Sequence, residues 1–243
     1  MFLGGFMETQ SNGLLEGLNP EQQQAVLHQT GPMLVLAGAG TGKTRVLTRR
    51  VAMLIDNNVK PEQILALTFT RKAAAEMKER VHGLVGDYSQ EIRIGTFHSL
   101  AMEIVREYRY IVGLSRGFRI GVELTFDRLI VLAAQILAQS EVARSKFRTR
   151  FRFILVDEYQ DTNIVQFKIL RALLSEEANL FVVGDDDQSI YGFQGASREL
   201  IRSFPELFPT VKTVTLHRNY RCCLLYTSPS PRDATLSRMP SSA

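Results

Sequence analysis

Short apolar segments alternate along the chain with longer segments whose apolar residues recur every three or four positions. The short segments are mostly apolar, and the first two are nearly continuous apolar runs, as in strands that are buried on both faces of a parallel sheet. They are PMLVLAG, ILALTF, IRIGTF, FRFILVDE, NLFVVGD and TVKTVTL. In the intervening segment FDRLIVLAAQILAQ, one helical face carries Phe126, Leu129, Ile130, Ala133, Ile136 and Leu137. The alternation predicts an α/β fold whose parallel sheet has helices on both faces.

The composition is that of an ordinary soluble protein, with 45% hydrophobic and 22% charged residues in 243. No stretch approaches the ~20 apolar residues that cross a bilayer, and the N-terminus lacks the pattern of a secretory signal. The two cysteines, Cys222 and Cys223, are adjacent, so they make no disulfide framework. We therefore expect a cytoplasmic protein without a membrane partner. The net charge of +4 permits a polyanionic partner without requiring one.

A glycine-rich segment, AGAGTGKT, lies between a predicted buried strand and a predicted helix, where a phosphate-binding loop belongs. Its glycines let backbone N–H groups turn toward phosphates, Lys43 would neutralise the β and γ phosphates, and the Thr44 hydroxyl would bind Mg²⁺. The first position departs from the general pattern, which has glycine there. The candidate nucleotide-binding residues are Ala37, Gly38, Ala39, Gly40, Thr41, Gly42, Lys43 and Thr44.

Two adjacent carboxylates, Asp157 and Glu158, end the predicted strand of ILVDEYQD. Asp157 would hold Mg²⁺ through water, and Glu158 would polarise the attacking water. A solvated acidic strand end is the alternative interpretation of such a pair. The phosphate-binding loop upstream favours the catalytic one.

A third polar segment, VVGDDDQSIYGFQGA at residues 182–196, combines three carboxylates, a glutamine and two aromatic residues. Carboxylates suit a metal ion, whereas paired aromatic rings suit a flat ligand. The residues alone leave both uses open.

Seven segments in order resemble the motifs of superfamily 1 DNA helicases of the UvrD/Rep/PcrA type. They are LNPEQQQAV, AGAGTGKT, TFTRKAAAEMKERV, GTFHSL, ILVDEYQDTN, VVGDDDQSIYGFQGA and LHRNYR. The resemblance covers nearly all of the chain from Leu18 to Arg221. It implies a P-loop NTPase of RecA-like fold, ATP and Mg²⁺ as cofactors, and an ATP-dependent 3′-to-5′ DNA helicase of repair or replication. Single-stranded DNA and DNA junctions are the implied partners.

The resemblance assigns further residues to the nucleotide. Gln22 corresponds to the glutamine that reads adenine, and Arg45 and Tyr220 correspond to the pair that sandwiches the adenine ring. Gln188 corresponds to the γ-phosphate sensor. Arg221 corresponds to an arginine finger supplied within the chain.

The third polar segment then becomes a coupling element between ATP and DNA. Tyr191 and Phe193 would stack on bases, each contributing ~1–3 kcal/mol regardless of sequence. Gln194 is also assigned to DNA, although it and Gly192 stand where the family often has arginines, and Phe193 stands for tryptophan. Residues Asp185–Asp187 are then expected to hold the loop by hydrogen bonds rather than to form a separate metal site.

Three residues of earlier motifs are also assigned to DNA by the resemblance. Phe69 would line a base pocket, and Thr96 and His98 lie in the next DNA-facing motif. For His98, packing at a strand end is an equally open interpretation.

The basic run RSKFRTRFRF carries a cation at every second position: Arg144, Lys146, Arg148, Arg150 and Arg152. A nucleic-acid stripe is one interpretation. A solvated lead-in to the fourth strand is the favoured alternative.

The domain organisation follows from the resemblance. Residues 1–17 are expected to be a flexible segment, 18–111 and 151–221 the two parts of the first RecA-like domain, and 112–150 a helical insertion about half as long as the family usually carries. Residues 222–243, CCLLYTSPSPRDATLSRMPSSA, predict disorder, and their abrupt onset suggests a non-native origin.

The sequence contains no second RecA-like domain, and ATP would normally lie between two. We therefore expect this stretch alone to bind Mg-ATP and single strands weakly, with little turnover and no unwinding. A static ATP- and DNA-binding module and the motor of a helicase–nuclease remain alternatives. An unrelated GTPase is disfavoured because no Asn-Lys-x-Asp motif is present, and a kinase is disfavoured because it does not explain DEYQD or the segment around Gln22.

Overall fold

The computed structural model describes residues 13–119, 124–177, 179–185 and 198–220. Within these residues, six strands form one sheet in the order β3-β2-β4-β5-β1-β6, and every adjacent pair is parallel. The strands are β1 (Met33–Ala37), β2 (Ile64–Thr68), β3 (Arg93–Thr96), β4 (Phe153–Val156), β5 (Leu180–Gly184) and β6 (Lys212–Leu216). The predicted parallel sheet is confirmed.

Helices cover both faces of the sheet. They are α1 (Pro20–Leu27), α2 (Lys43–Asp56), α3 (Arg71–Val85), α4 (Phe97–Tyr108), α5 (Phe126–Gln139), α6 (Glu141–Arg150), α7 (Ile164–Leu173), α8 (Arg198–Arg202) and α9 (Phe204–Leu207). Along β2 the side chains alternate: Leu65 and Leu67 pack with α4–α7, whereas Ile64 and Ala66 pack with α1–α3. Each fully buried side chain of Val, Leu or Ile size contributes about 1.5–3 kcal/mol, so these two apolar layers stabilise the sheet.

The parallel arrangement places the carboxyl ends of all six strands at one edge of the sheet. The loops after β1, β2 and β4 therefore open toward the same edge, where ligands of open α/β sheets bind. The segment after β5 begins there as well, with Asp185. A functional site is therefore expected at this edge of the sheet.

Helix α5 departs from its sequence pattern at one position. Its apolar face is buried as predicted, except for Phe126 in the first turn, which is 52% exposed. Phe126 thus belongs to the apolar stripe of the helix but not to the buried core. The helix begins at the carboxyl edge of the sheet, so its first turn extends past the core.

Four of the five cations of the basic run lie on α6, which ends at Arg150 just before β4, so they point in different directions around the helix. Lys146 pairs with Glu107 of α4, and Arg150 pairs with Glu103. Arg148 donates to the carbonyl oxygen of Ala172. These cations fasten α6 to the neighbouring helices. None of the described helices is long and apolar enough to cross a membrane.

Candidate functional site

The loop between β1 and α2 has the backbone of an anion-binding turn. Gly40 and Gly42 adopt left-handed conformations, with φ of 78° and 93°. A Cβ at Gly42 would lie 2.7 Å from Nε2 of Gln22, so the amide of Gln22 would have to move to accept any other residue there. Among the described residues, no side chain caps the N-terminus of α2. The N–H groups at this helix start are therefore available to a phosphate, together with the positive end of the helix dipole.

Lys43, the first residue of α2, meets the carboxyl end of β4. Its Nζ lies 2.8 Å from Oε2 of Glu158. The Lys43 side chain is only 10% exposed, whereas that of Glu158 is 38% exposed. Glu158 itself has a left-handed backbone, with φ of 51°. Such a conformation is unusual for a residue other than glycine and is frequent in active-site turns.

Asp157 is buried directly beside this pair. Burial, and after it the charge of Glu158, raises the pKa of Asp157 to about 6. Among the described residues, no group of three or more His, Cys, Asp or Glu side chains could hold a metal ion. One carboxylate and the Thr44 hydroxyl, completed by phosphate oxygens and water, are nevertheless the ligand set that Mg²⁺ uses in nucleotide sites.

Gln160 connects Glu158 to the end of β5. Its side chain is 3% exposed, and its Nε2 donates to Oε2 of Glu158 at 2.8 Å. Its Oε1 accepts the backbone N–H of Asp185 at 3.0 Å. Oδ2 of Asp185 lies near the position that a Cβ of Gly38 would occupy, at 3.9 Å. One buried amide thus joins the acidic turn after β4 to the segment after β5.

Gln22 and Tyr220 both hydrogen-bond to the loop, and Arg45 follows it in α2; Gln22 is buried, with 1% exposure. Nε2 of Gln22 donates to the carbonyl oxygen of Thr41 at 2.9 Å, and its Oε1 accepts the N–H of Asn19 at 3.1 Å. The backbone N–H of Tyr220 donates to Gly40 at 2.8 Å. The exposed guanidinium of Arg45 lies within 3.4 Å of a backbone carbonyl preceding α1. The Gln22 amide therefore supports the loop directly, which its assignment to adenine did not anticipate.

The ring of Tyr220 has a cationic neighbour. The guanidinium of Arg218 lies 5.2 Å from the ring centroid, and Tyr220 is 46% exposed. This distance permits a cation–π contact. Arg218 was not among the predicted site residues. Its position two residues before Tyr220 in LHRNYR could have indicated it.

A groove of about 890 Å³ opens at the same edge of the sheet, beyond β2 and β3. Phe69, Thr96 and His98 line it together, as does Phe126 from α5. The rings of His98 and Phe126 meet edge to face, with centroids 6.0 Å apart. Burial lowers the pKa of His98, with Arg71 adding to the effect and Asp127 opposing it. This groove of partly exposed rings can receive flat ligands; it is called the aromatic groove below.

Thr96 contributes to the aromatic groove mainly by holding its wall. Its hydroxyl accepts the N–H of Ser99 and begins α4 with a capping box. Asp161 also lines the aromatic groove, and burial, followed by the charge of Glu158, raises its pKa to about 6. Its Oδ1 is buried without a hydrogen-bond partner among the described residues. Phe126 and Asp161 were not predicted as site residues; the exposed ring at a helix start was recognisable only once the helix was placed.

Comparison with known proteins decides the family. Residues 18–125 and 121–209 match the family model of the UvrD/REP helicase N-terminal domain. The chain belongs to this family. Its α/β sheet is accordingly the RecA-like P-loop fold that the motifs implied.

Relatives in the UvrD/REP family include two staphylococcal proteins. The chain is 35% identical to the ATP-dependent DNA helicase PcrA of Staphylococcus aureus (strain Mu50 / ATCC 700699), over 86% of this chain and 39% of the relative. The PcrA of Staphylococcus epidermidis (strain ATCC 12228 / FDA PCI 1200) gives the same identity and coverage. The crystal structure of the Pif1 helicase from Candida albicans aligns at 16% identity and a TM-score of 0.47, covering 84% of this chain and 40% of that one. The chain spans about two fifths of the length of these relatives.

Several residues assigned through the UvrD/REP motifs lie outside the described part of the chain. They are Gln188, Tyr191, Phe193, Gln194 and Arg221, together with Asp186 and Asp187. Asp185, the first carboxylate of that group, is buried at the end of β5. The other assigned residues all lie at or beside the carboxyl edge of the sheet, around the loop after β1 or in the aromatic groove.

Proposed function

We propose that this chain is the nucleotide-binding half of a motor that moves 3′ to 5′ along single-stranded DNA. The complete protein would be an ATP-hydrolysing DNA helicase of repair or replication, acting in the cytoplasm on single strands and junctions. The observation that carries the proposal is the arrangement of one edge of the sheet. There the Lys43–Glu158 pair adjoins Asp157, and the aromatic groove opens beside them.

The nucleotide site is proposed to divide its work among four side chains. Lys43 and the α2 N-terminus neutralise phosphate charge, and Thr44 and Asp157 hold Mg²⁺. Glu158 orients and polarises the attacking water. When bound, Mg-ATP supplies the γ-phosphoryl group whose transfer to water releases the free energy for movement.

The base of the nucleotide is proposed to lie outside the loop after β1. Gln22 retains one amide N–H and one oxygen lone pair beyond its two internal hydrogen bonds, so it can still read an adenine edge. Arg45 and Tyr220 would stack on the two faces of the ring. Gln188 and Arg221 are proposed to contact the γ-phosphate.

The DNA site is proposed to be the aromatic groove, extended by Tyr191, Phe193 and Gln194. Phe69 and His98 would contact bases, with Thr96 supporting the groove wall. Gln160 would transmit changes at Glu158 to the segment after β5, because both groups bind its amide. In the domain division proposed here, 18–111 and 151–221 form one RecA-like unit and 112–150 a short helical insertion.

Binding of both ligands to the purified chain tests the proposal. Lys43→Ala should weaken Mg-ATP binding by about 10- to 100-fold, since it removes a charged hydrogen-bond donor worth about 1.5–3 kcal/mol. Lys60→Ala, at the opposite edge of the sheet, is the charge-matched control. Phe69→Ala should weaken binding of oligo(dT) by about 1–3 kcal/mol, whereas the exposed Tyr88, away from the aromatic groove, should tolerate alanine.

The outcomes separate the proposed motor from its rivals. In a motor, Mg-ATP changes the affinity for oligo(dT), and the oligonucleotide changes the affinity for Mg-ATP by the same factor. Binding of both ligands without this coupling would indicate a static binding module. The 243-residue chain alone is expected to turn over little ATP and to unwind no duplex. Strong unwinding by this chain would contradict the proposal that it is only half of a motor.

A further inference from the structure

A second groove adjoins the aromatic groove on the far side of the His98–Phe126 pair. It has a volume of about 560 Å³ and lies between α3, the edge strand β3 and α4. Arg71, Thr96, His98 and Phe126 line both grooves. The two spaces are therefore neighbours along one surface, with the edge-to-face ring pair in their shared lining.

The second groove is basic. Its lining includes the cations Arg71, Lys78 and Arg93 and no carboxylate; it is called the basic groove below. Arg93 is already paired with Glu103, at 2.9 Å. Arg71 and Lys78 are exposed and make no ion pair with any residue that the structure describes. Two cations in the basic groove are thus available to an external anion.

The spacing of these two cations on α3 suits an extended chain of anions. Arg71 and Lys78 are seven residues apart, so they share one face of the helix and stand about 10 Å apart along its axis. Ala74 and Ala75, which also line the groove, lie between them. Because these side chains are small, a ligand can run between the cations close to the helix. A single small anion would be too short to contact both.

The two grooves differ in chemistry, and together they suit the bases and the phosphates of single-stranded DNA. The aromatic groove offers partly exposed rings, together with Asp127 and Asp161, whose carboxylates disfavour phosphates. The basic groove offers cations without carboxylates. Single-strand-binding surfaces combine these two features, since rings stack on bases and a positively charged groove follows the backbone.

We infer that single-stranded DNA continues past the His98–Phe126 pair into the basic groove, where Lys78 and Arg71 neutralise successive parts of its backbone. This inference rests on the proposed function, because it extends the DNA site proposed there. Arg71, at the junction, contacts the strand in both grooves. Lys78 contacts only a strand long enough to enter the basic groove.

Salt-dependent binding of oligo(dT) of increasing length tests this path. The oligonucleotides span the range of about 4 to about 16 nucleotides over which single-strand-binding sites vary. For single strands, the slope of log Kobs against log salt becomes shallower by about 0.7 for each phosphate contact removed. Lys78→Ala should therefore reduce the slope by about 0.7 for the longest oligonucleotides and leave the shortest unaffected, whereas Arg71→Ala should reduce it at every length.

Lys72→Ala is the matched control. It removes the same charge from the same helix, but Lys72 is 88% exposed, faces Glu76 and lines neither groove. Both substitutions replace an exposed helical residue by alanine, so both variants should fold. Equal effects of the two variants, or an effect of Lys78→Ala that is the same at all lengths, would overturn the inference.

The test also separates this inference from the proposed function. If short oligo(dT) binds in a manner sensitive to Phe69→Ala, but Lys78→Ala has no length-dependent effect, the proposed DNA site stands and only its continuation is wrong. If the unsubstituted chain binds no oligonucleotide of any length, the proposed DNA site and its continuation both fail.

Discussion

The ammonium of Lys43 lies 2.8 Å from a carboxylate oxygen of Glu158, although the two residues are 115 positions apart. The ion pair joins the start of α2 to the turn after β4. In the proposed mechanism, Lys43 neutralises phosphates and Glu158 polarises water. A bound nucleotide must therefore compete with Glu158 for Lys43 before either residue can act.

Removing the charge of Glu158 should strengthen nucleotide binding. An ion pair with this degree of exposure contributes at most about 1 kcal/mol, so Glu158→Gln should increase the affinity for Mg-ATP by about two- to fivefold. Hydrolysis should be lost. Titration calorimetry measures the affinity, and Glu62→Gln, at the amino end of β2, is the control for overall charge. A weaker affinity in Glu158→Gln would show that the carboxylate does not compete for Lys43.

The raised pKa of Asp157 predicts a pH-dependent stability. Because this pKa is about 6 when folded and near 3.8 when unfolded, the folded chain binds the proton more tightly between those values. The contribution of protonated Asp157 to the free energy of unfolding is fully present below about pH 4 and is lost as the pH rises through about 6. Above that pH, the ionised carboxylate of Asp157 lowers the free energy of unfolding by about 2–3 kcal/mol. Asp157→Asn should therefore raise the free energy of unfolding at pH 8 by about this amount and change it little at pH 4, as measured by urea denaturation.

The same titration should control Mg²⁺. A carboxylate must be ionised to hold the metal, so the dependence of nucleotide affinity on Mg²⁺ should weaken as the pH falls from 7 to 5. Asp157→Asn should abolish this dependence at both pH values. Asp161, whose pKa is also raised to about 6, is the control, because Asp161→Asn should leave the Mg²⁺ effect intact. If both variants lost the Mg²⁺ dependence equally, the assignment of Asp157 as the Mg²⁺ ligand would be wrong.

The buried amide of Gln160 should be important for stability. Gln160→Ala removes a hydrogen bond to an ionised group and leaves the N–H of Asp185 without this partner, at a combined cost of about 2–4 kcal/mol. Urea denaturation measures this cost. Gln139→Ala, on the exposed end of α5, should change the stability by less than about 0.5 kcal/mol. If both variants unfold at the same urea concentration, the two bonds of Gln160 contribute nothing net.

Two glycines should respond to alanine in opposite directions. Gly42 has a φ of 93°, and its Cβ would meet Gln22, so Gly42→Ala should destabilise the fold by about 1–3 kcal/mol and weaken Mg-ATP binding. Gly83 lies in α3 with nothing within 4 Å of its Cβ position. Gly83→Ala should therefore stabilise the fold by about 0.5–1 kcal/mol. Thermal unfolding of both variants measures the difference, and stabilisation by Gly42→Ala would contradict the conformation of the loop.

The elements of the fold follow from local sequence. The apolar segments predicted all six strands. Strands β2 and β5 are buried along their whole length and have no polar side, whereas the edge strand β6, from TVKTVTL, has three exposed residues. The loop proposed to bind phosphate was equally predictable, since its glycines, Lys43 and Thr44 lie within one turn. The segment FDRLIVLAAQILAQ, whose apolar residues recur with helical spacing, forms α5 over Phe126–Gln139.

The contacts between distant residues were decided only by the tertiary structure. The order of the strands brings Glu158 to Lys43 and Gln160 to Asp185, and no local pattern specifies which parallel strands become neighbours. The exposure of Phe126 depends on where α5 begins relative to the sheet edge. The sequence by itself therefore determined which elements form and which residues are candidates for binding phosphate, because those properties depend on neighbours along the chain. The partners of Glu158 and Gln160, and the pair of grooves around His98, depend on how the crossovers order the strands, which is a property of the whole fold.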